Sequence, residues 1–346
     1  MRPLTIERLL WNCAILLAVL FFVVVIALKL GAVPVSIYGL GRDLIRVALG
    51  RSSELSSEYR LIVFDIRLPR ILLGIFVGAA LSVSGASFQA LLRNPLADPY
   101  VLGVSSGSAL GAILALVAAP YLSLNTTFSV LLTPLGAFLG GAGTIAAVYF
   151  LGRREGQIDS STLLLAGVIS VSFLSAVIMF LMSTVVSRDT RGMAYWLMGE
   201  LSTPIPVALR WLLGAGFFAA AGAIYTTASD LNLLLAGEQE ALHLGVDITR
   251  VRLVVYVAAS LLTGLAVSVS GAVGFVGLLV PHAMRFLFGS DYRLLLPTAA
   301  LGGAIIVVVA DTLARTVVAP TELPVGAVMA LVGAPFFIYL LRRRLR

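Results

Sequence analysis

The sequence predicts an all-α polytopic membrane protein with about ten transmembrane helices and both termini cytoplasmic. Two observations carry the class. Hydrophobic residues make up 60% of the 346 residues and charged residues only 12%, with a mean hydropathy of +1.04; a soluble domain carries about 25% charged residues. The apolar residues also fall in long runs broken by Gly, Pro and Arg, not in the short alternating segments of a β-barrel.

The elements follow in order. A spanning helix needs about 20 apolar residues, and the runs that qualify are roughly 10–30, 70–92, 103–120, 128–151, 161–184, 207–227, 252–270, 274–289, 295–314 and 325–342. Arg2 and Arg8 precede the first run. That run exceeds the 7–15 residues of a secretory signal core and lacks a small-residue cleavage site, so it reads as a first span. Pro69 opens the second helix at a tolerated first-turn position, and Asn94-Pro95 and Asp98-Pro99 interrupt the chain before the third. The run 274–289 is short and holds Pro281, as a broken or re-entrant helix does. No internal repeat and no soluble domain is evident, so residues 1–346 read as one transmembrane domain.

Charge sets the orientation. An even number of spans returns the C-terminus to the cytoplasm, where Arg342, Arg343, Arg344 and Arg346 satisfy the positive-inside rule, with Arg153, Arg154, Arg250 and Arg252 on the same side. The opposite side is unusually basic: Arg42, Arg46, Arg51, Arg60, Arg67 and Arg70 in and after the first outer loop, Arg188 and Arg191 in another, Arg315 at a helix end. Two explanations stand: compensation by Asp43, Glu54, Glu58 and Asp65, or a docking surface for an acidic partner. Asp311 and Arg315, four apart, share a helix face and pair most cheaply near the interface. Arg285, near an inner helix end, has room to snorkel.

Small residues recur one turn apart at Gly74/Gly78, Gly103/Gly107/Gly111 and Gly136/Gly140, the pattern that lets membrane helices approach closely. Ser229 to Arg252 is the longest polar interruption of the second half. Within it, Glu238 to Leu244 forms a short helix between Gly237 and Gly245, with Gly245 placed to end it in a left-handed conformation. Ala241 and Leu244 give it an apolar edge. A helix this short is unstable alone and must rest on the protein, on another molecule, or on both; an ordinary amphipathic connector is the plainer alternative.

Several chemistries are excluded. There is no G-x-x-x-x-G-K-[ST] and hence no phosphate cradle for ATP. Cys13 is the single cysteine, and His243 and His282 are the two histidines, too few for a His- or Cys-based metal site. The net charge of +7 is almost wholly arginine and fits lipid head groups better than nucleic acid. Gly103-Val104-Ser105-Ser106-Gly107 mimics a nucleophile elbow but lies at a helix start, with only His282 as a conceivable base.

The motifs Arg67-Leu68-Pro69-Arg70, Asn94-Pro95-Leu96-Ala97-Asp98-Pro99, Leu102 to Gly107, Leu163 to Gly167, Tyr195 to Gly199, Gly237-Glu238 with Ala241 and Leu244-Gly245, Gly274 to Leu278 with Pro281-His282, Asp311 with Arg315, Glu322 to Gly326 and Gly333 to Phe336 together resemble the FecCD-type permeases. These are the membrane subunits of ABC importers for iron–siderophore complexes, haem and cobalamin. The resemblance implies a bacterial or archaeal cell-membrane protein (inner membrane in a Gram-negative cell) without an ATPase site of its own. It implies a homodimer around the substrate path, two copies of a separate ATPase carrying ATP and magnesium, and an outer substrate-binding protein. Carried residue by residue, it places ATPase coupling at Gly237, Glu238, Ala241, Leu244 and Gly245 within the segment 229–252. Binding-protein docking falls to Arg67, Arg70 and Arg315, which favours the docking explanation of the outer arginines. The inner gate falls to Asn94, Leu96, Ser160 and Ser161. A rival from another class is an ion-coupled secondary transporter, which requires a proton- or sodium-responsive group at mid-membrane; Asp311 is its best candidate. The cargo is not readable from these residues.

Overall fold

The structure, a computed structural model, describes residues 5–31, 33, 60–122, 126–154, 157–184 and 190–344. Arg42, Asp43, Arg46, Arg51, Glu54, Glu58 and Arg188 lie outside the described residues, and so does the outer-loop compensation by Asp43, Glu54 and Glu58.

The chain is α-helical. In order the helices are α1 (Ile6–Lys29), α2 (Leu68–Leu91), α3 (Val104–Ala118), α4 (Thr126–Leu151), α5 (Ser160–Thr184), α6 (Thr190–Met198), α7 (Val207–Thr226), α8 (Ala228–Ala236), α9 (Glu238–His243), α10 (Ile248–Ser270), α11 (Val276–Phe288), α12 (Tyr292–Thr316) and α13 (Val325–Arg344). A π-helical segment, Leu61–Arg67, runs directly into α2, and a two-residue ribbon pairs β1 (Arg153–Arg154) with β2 (Gln157–Ile158). Among the described residues eight helices are long and apolar enough to cross a membrane, and two shorter apolar ones, Val276–Phe288 and Val325–Ile338, bring the set to the ten runs read from the sequence.

Helix ends follow local chemistry. Thr5, Asp247 and Asp291 each accept a first-turn backbone N–H of α1, α10 and α12. Pro69 is the second residue of α2, but because the π-helical segment leads straight into it, it lies inside a continuous helical run, Leu61–Leu91.

α2, α10 and α12 form the centre, and α1, α4, α5 and α7 keep broad apolar faces outward, as lipid contact requires. Lipid supplies no hydrophobic drive between helices, so packing rests on close backbone approach and polar bonds. Gly78 of α2 lies on the backbone of Gly303 in α12, and Gly85 lies on Gly277 in α11. Gly107 and Gly111 of α3 face Gly140 and Gly136 of α4, so two of the three predicted small-residue stripes meet each other. The Ser84 hydroxyl joins α2 to α10 through the Ala259 carbonyl at 2.8 Å and Thr263 Oγ1 at 2.6 Å.

Candidate functional site

Two polar clusters lie at opposite ends of α2. At its start, Arg70 donates from Nε to both oxygens of Asp311, at 2.9 and 3.2 Å, and from Nη1 to Glu322 at 2.7 Å. Asp311, 2% exposed, also faces Arg315 Nε at 3.2 Å. Two guanidinium groups on one carboxylate make this charge tolerable in the interior, since a buried carboxylate needs both pairing and hydrogen bonds. Arg315 donates onward to the Ala27 carbonyl at 3.0 Å, and Arg67 donates to the carbonyls of Leu28 at 2.7 Å and Val33 at 2.5 Å. These are last-turn and flanking carbonyls of α1, which have no intrahelical donor.

This arrangement bears on the docking arginines. Arg67 is 5% exposed and Arg315 7%, both bound to the end of α1. The Arg70 side chain is 10% exposed and pairs with the half-exposed Glu322. The predicted Asp311–Arg315 pair is present. Its second partner, Arg70, is far away in sequence and carries no local signal.

At the other end of α2 lies the segment singled out in the sequence. α9 spans Glu238–His243, one residue shorter than expected. Gly245 takes φ 83°, and the bonds Gly245 N–H to Leu242 O and Val246 N–H to Ala241 O, both 3.0 Å, close a Schellman motif. The expected apolar edge divides: Ala241 is fully buried and seats α9 on the protein, whereas Leu244 is 68% exposed. Leu242, not singled out in the sequence, is exposed beside it. The Glu238 carboxylate receives Arg93 Nη2 at 2.8 Å and Arg252 Nη2. Gly237 precedes α9 in extended conformation.

The four gate candidates lie near that same end. The Asn94 side chain accepts the Leu96 N–H at 2.9 Å, and Leu96 is exposed. Ser160, opening α5, donates to the Leu91 carbonyl at 3.4 Å, which brings it to the end of α2; Ser161 is exposed beside it. Asp98 caps the turn Pro99–Leu102 through the Tyr100 N–H at 2.8 Å. Burial pushes its carboxyl up to about 6, against the lowering effect of that bond.

Arg285 corrects one expectation. It does not snorkel: it turns inward to Gln89 Oε1 of α2 and, at 3.0 Å, to the Tyr292 hydroxyl, which donates to the Ala86 carbonyl. Asn232 of α8 donates to Asp291 at 2.8 Å and accepts the Tyr292 N–H at 2.9 Å. The Arg293 side chain and Asn232 hold the Asp291 carboxyl below its ordinary range. A continuous hydrogen-bonded path thus runs from α8, which leads into α9, through α12 and α11 to α2.

The serine of the elbow-like string lies in the first turn of α3, and its flanking Gly103 and Gly107 pack against Thr144. The string opens a helix and not a strand-to-helix turn.

The model of the FecCD transport family matches residues 17–343. The chain belongs to the FecCD transport family. It is 41% identical over 323 residues to the cobalamin import system permease protein BtuC of Halobacterium salinarum, covering 90% of this chain and 82% of that one. It is 41% identical over 287 residues to the hemin transport system permease protein HmuU of Yersinia pestis, covering 81% and 83%. A solved ABC transporter described as of the metal-chelate type, in an inward-facing conformation, superposes with a TM-score of 0.79 at 30% identity, covering 96% of this chain and 99% of that one. This FecCD permease is a multi-pass membrane subunit of an ABC importer. The ion-coupled alternative gives way to this family membership; Asp311, its candidate residue, is paired with Arg70 and Arg315.

Proposed function

We propose that this FecCD permease moves a metal-centred cargo inward, an iron chelate such as a siderophore complex or haem, or cobalamin. Two copies would enclose the path. Two copies of a separate ATPase, which carry the ATP and magnesium, press on α9 from the cytoplasm, and an outer substrate-binding protein delivers the cargo. The bilayer would be the cell membrane, the inner one in a Gram-negative cell.

The observation that carries this reading is α9 itself. A six-residue helix survives only by being held, and Ala241, Glu238 and the Gly245 cap hold it. What it leaves outward is a pair of leucines, Leu242 and Leu244. Exposed leucines on a braced helix suit a protein cleft. The permease then needs no fuel site, because a partner that binds two of its states unequally biases alternating access. Asn94, Leu96, Ser160 and Ser161, gathered round the end of α2 next to α9, suit an inner gate. On the outer rim, Arg70 is the arginine an incoming carboxylate reaches, by replacing Glu322; Arg67 and Arg315 brace the rim behind it.

The test is reconstitution in proteoliposomes with labelled cyanocobalamin, hemin or ferric citrate. Permease alone under a proton or sodium gradient should accumulate none. Permease with its ATPase, its binding protein and ATP should accumulate one of the three. Gradient-driven uptake without the ATPase, abolished by Asp311→Asn, would overturn the proposal.

A further inference from the structure

We propose that Glu238 is a positioning residue that passes the movement of α9 to the Leu92–Pro99 loop through Arg93; this rests on the function proposed above. Glu238 begins α9, yet its carboxylate does not face outward with the leucines. One oxygen, Oε1, receives both Arg93 Nη2, at 2.8 Å, and Arg252 Nη2. Arg93 follows the end of α2, and Arg252 lies in the first turns of α10. One carboxylate therefore ties α9 to two of the three central helices.

The backbone at Arg93 supplies a second, independent observation. The bonds Arg93 N–H to Ala90 O and Asn94 N–H to Gln89 O, both 3.1 Å, form a Schellman motif at the end of α2. Its left-handed position is occupied by Arg93, with φ 49°. The same motif at the end of α9 uses Gly245 there, the residue that adopts this conformation without a steric penalty. An arginine in left-handed backbone is disfavoured, and Arg93 and Glu238 are both part-exposed, where an ion pair contributes little to stability. Net stability therefore does not explain the arginine. Strained backbone that persists at a working part of a protein points to use, and the use at hand is the guanidinium.

What Arg93 moves is defined. Asn94 follows it, and the Asn94 side chain holds the Leu96 N–H, so the turn shifts as a unit. A small cleft lies beside the clamp, lined by Leu91, Arg93, Leu234 and Arg252 among others.

The experiment uses a Cys13→Ser, Leu96→Cys permease assembled with its ATPase in inside-out vesicles and labelled with a membrane-impermeant maleimide. Rates are compared without nucleotide and with the ATPase trapped by ATP and vanadate. The parent should change rate by about fivefold or more, the lower end of ordinary coupling between sites. Arg93→Gly retains the cap with the residue best suited to it, so it folds, and should lose the response. Glu238→Gln should lose it equally, the double variant should be no worse than either single one, and Arg93→Lys should keep it. A parental response in Arg93→Gly and Glu238→Gln would overturn the role of Glu238 alone. No nucleotide response in the parent would overturn the coupling of this chain to an ATPase, and the role of Glu238 with it.

Discussion

Asp98 shows how one buried carboxyl turns pH into stability. Burial raises it to about 6 from an ordinary 3.8. The folded protein thus holds this proton more tightly than the unfolded chain does. The stability it contributes is complete below pH ~4, falls as pH rises toward 6, and is constant above. In detergent, the melting temperature of Asp98→Asn relative to the native chain should therefore rise between pH 4 and 6. A difference that stays flat across that range would show that the turn stays solvated. At this scale the sequence was informative wherever the partner was local. Asp311 with Arg315 and the αL glycine at 245 depend on neighbours within four residues. Arg70 on Asp311, Arg93 on Glu238 and Tyr292 on Ala86 join residues from distant parts of the chain, and no periodicity carries that information.

Among the elements, the long spans were legible because lipid requires each to be apolar over its whole length. α6 and α8 were not, since nine-residue helices outside that requirement resemble ordinary connectors. The edge of α9 was legible as apolar, but side-chain polarity alone did not say that Ala241 meets the protein while Leu244 stays outward. The small-residue stripes give the sharpest test. A Cβ on Gly107 would meet the Gly140 carbonyl at 2.6 Å, whereas one on Gly143, on the same α4, meets nothing within 4 Å. Gly107→Val should cost roughly 1–3 kcal/mol by overpacking and lower the melting temperature in detergent. Gly143→Ala should be neutral or stabilising, by up to about 1 kcal/mol from helix propensity. Equal effects would mean that α3 and α4 are not in backbone contact.

For the whole molecule, the two ends of α2 differ in kind. The Asp311 end is held mainly by buried charges on carbonyls and a carboxylate; the Glu238 end adds part-exposed ion pairs to the bonds of Gln89 and Ala86 with Arg285 and Tyr292. Salt screens the second kind and scarcely the first, the Debye length shrinking to about 3 Å at 1 M. Hydrogen exchange in Ala228–Arg252 should quicken when NaCl is raised to about 1 M, while exchange at the C-terminal turn of α1 should not change. Uniform quickening at both ends would remove the distinction. This asymmetry was beyond the reach of sequence reading, which paired Arg315 with Asp311 but gave Arg70 no partner within the protein.

A rod braced by buried charge at one end and joined to a small helix by ion pairs at the other can tilt about its brace. α2 holds 24 residues, so at 1.5 Å per residue its arm is about 36 Å. With the Arg70–Asp311 cluster as fulcrum, a tilt of about 5° sweeps the tip through about 3 Å on that arm, roughly the reach of one hydrogen bond. A modest push on a six-residue helix is then delivered directly at the doorway it guards, with no need for the bundle to come apart.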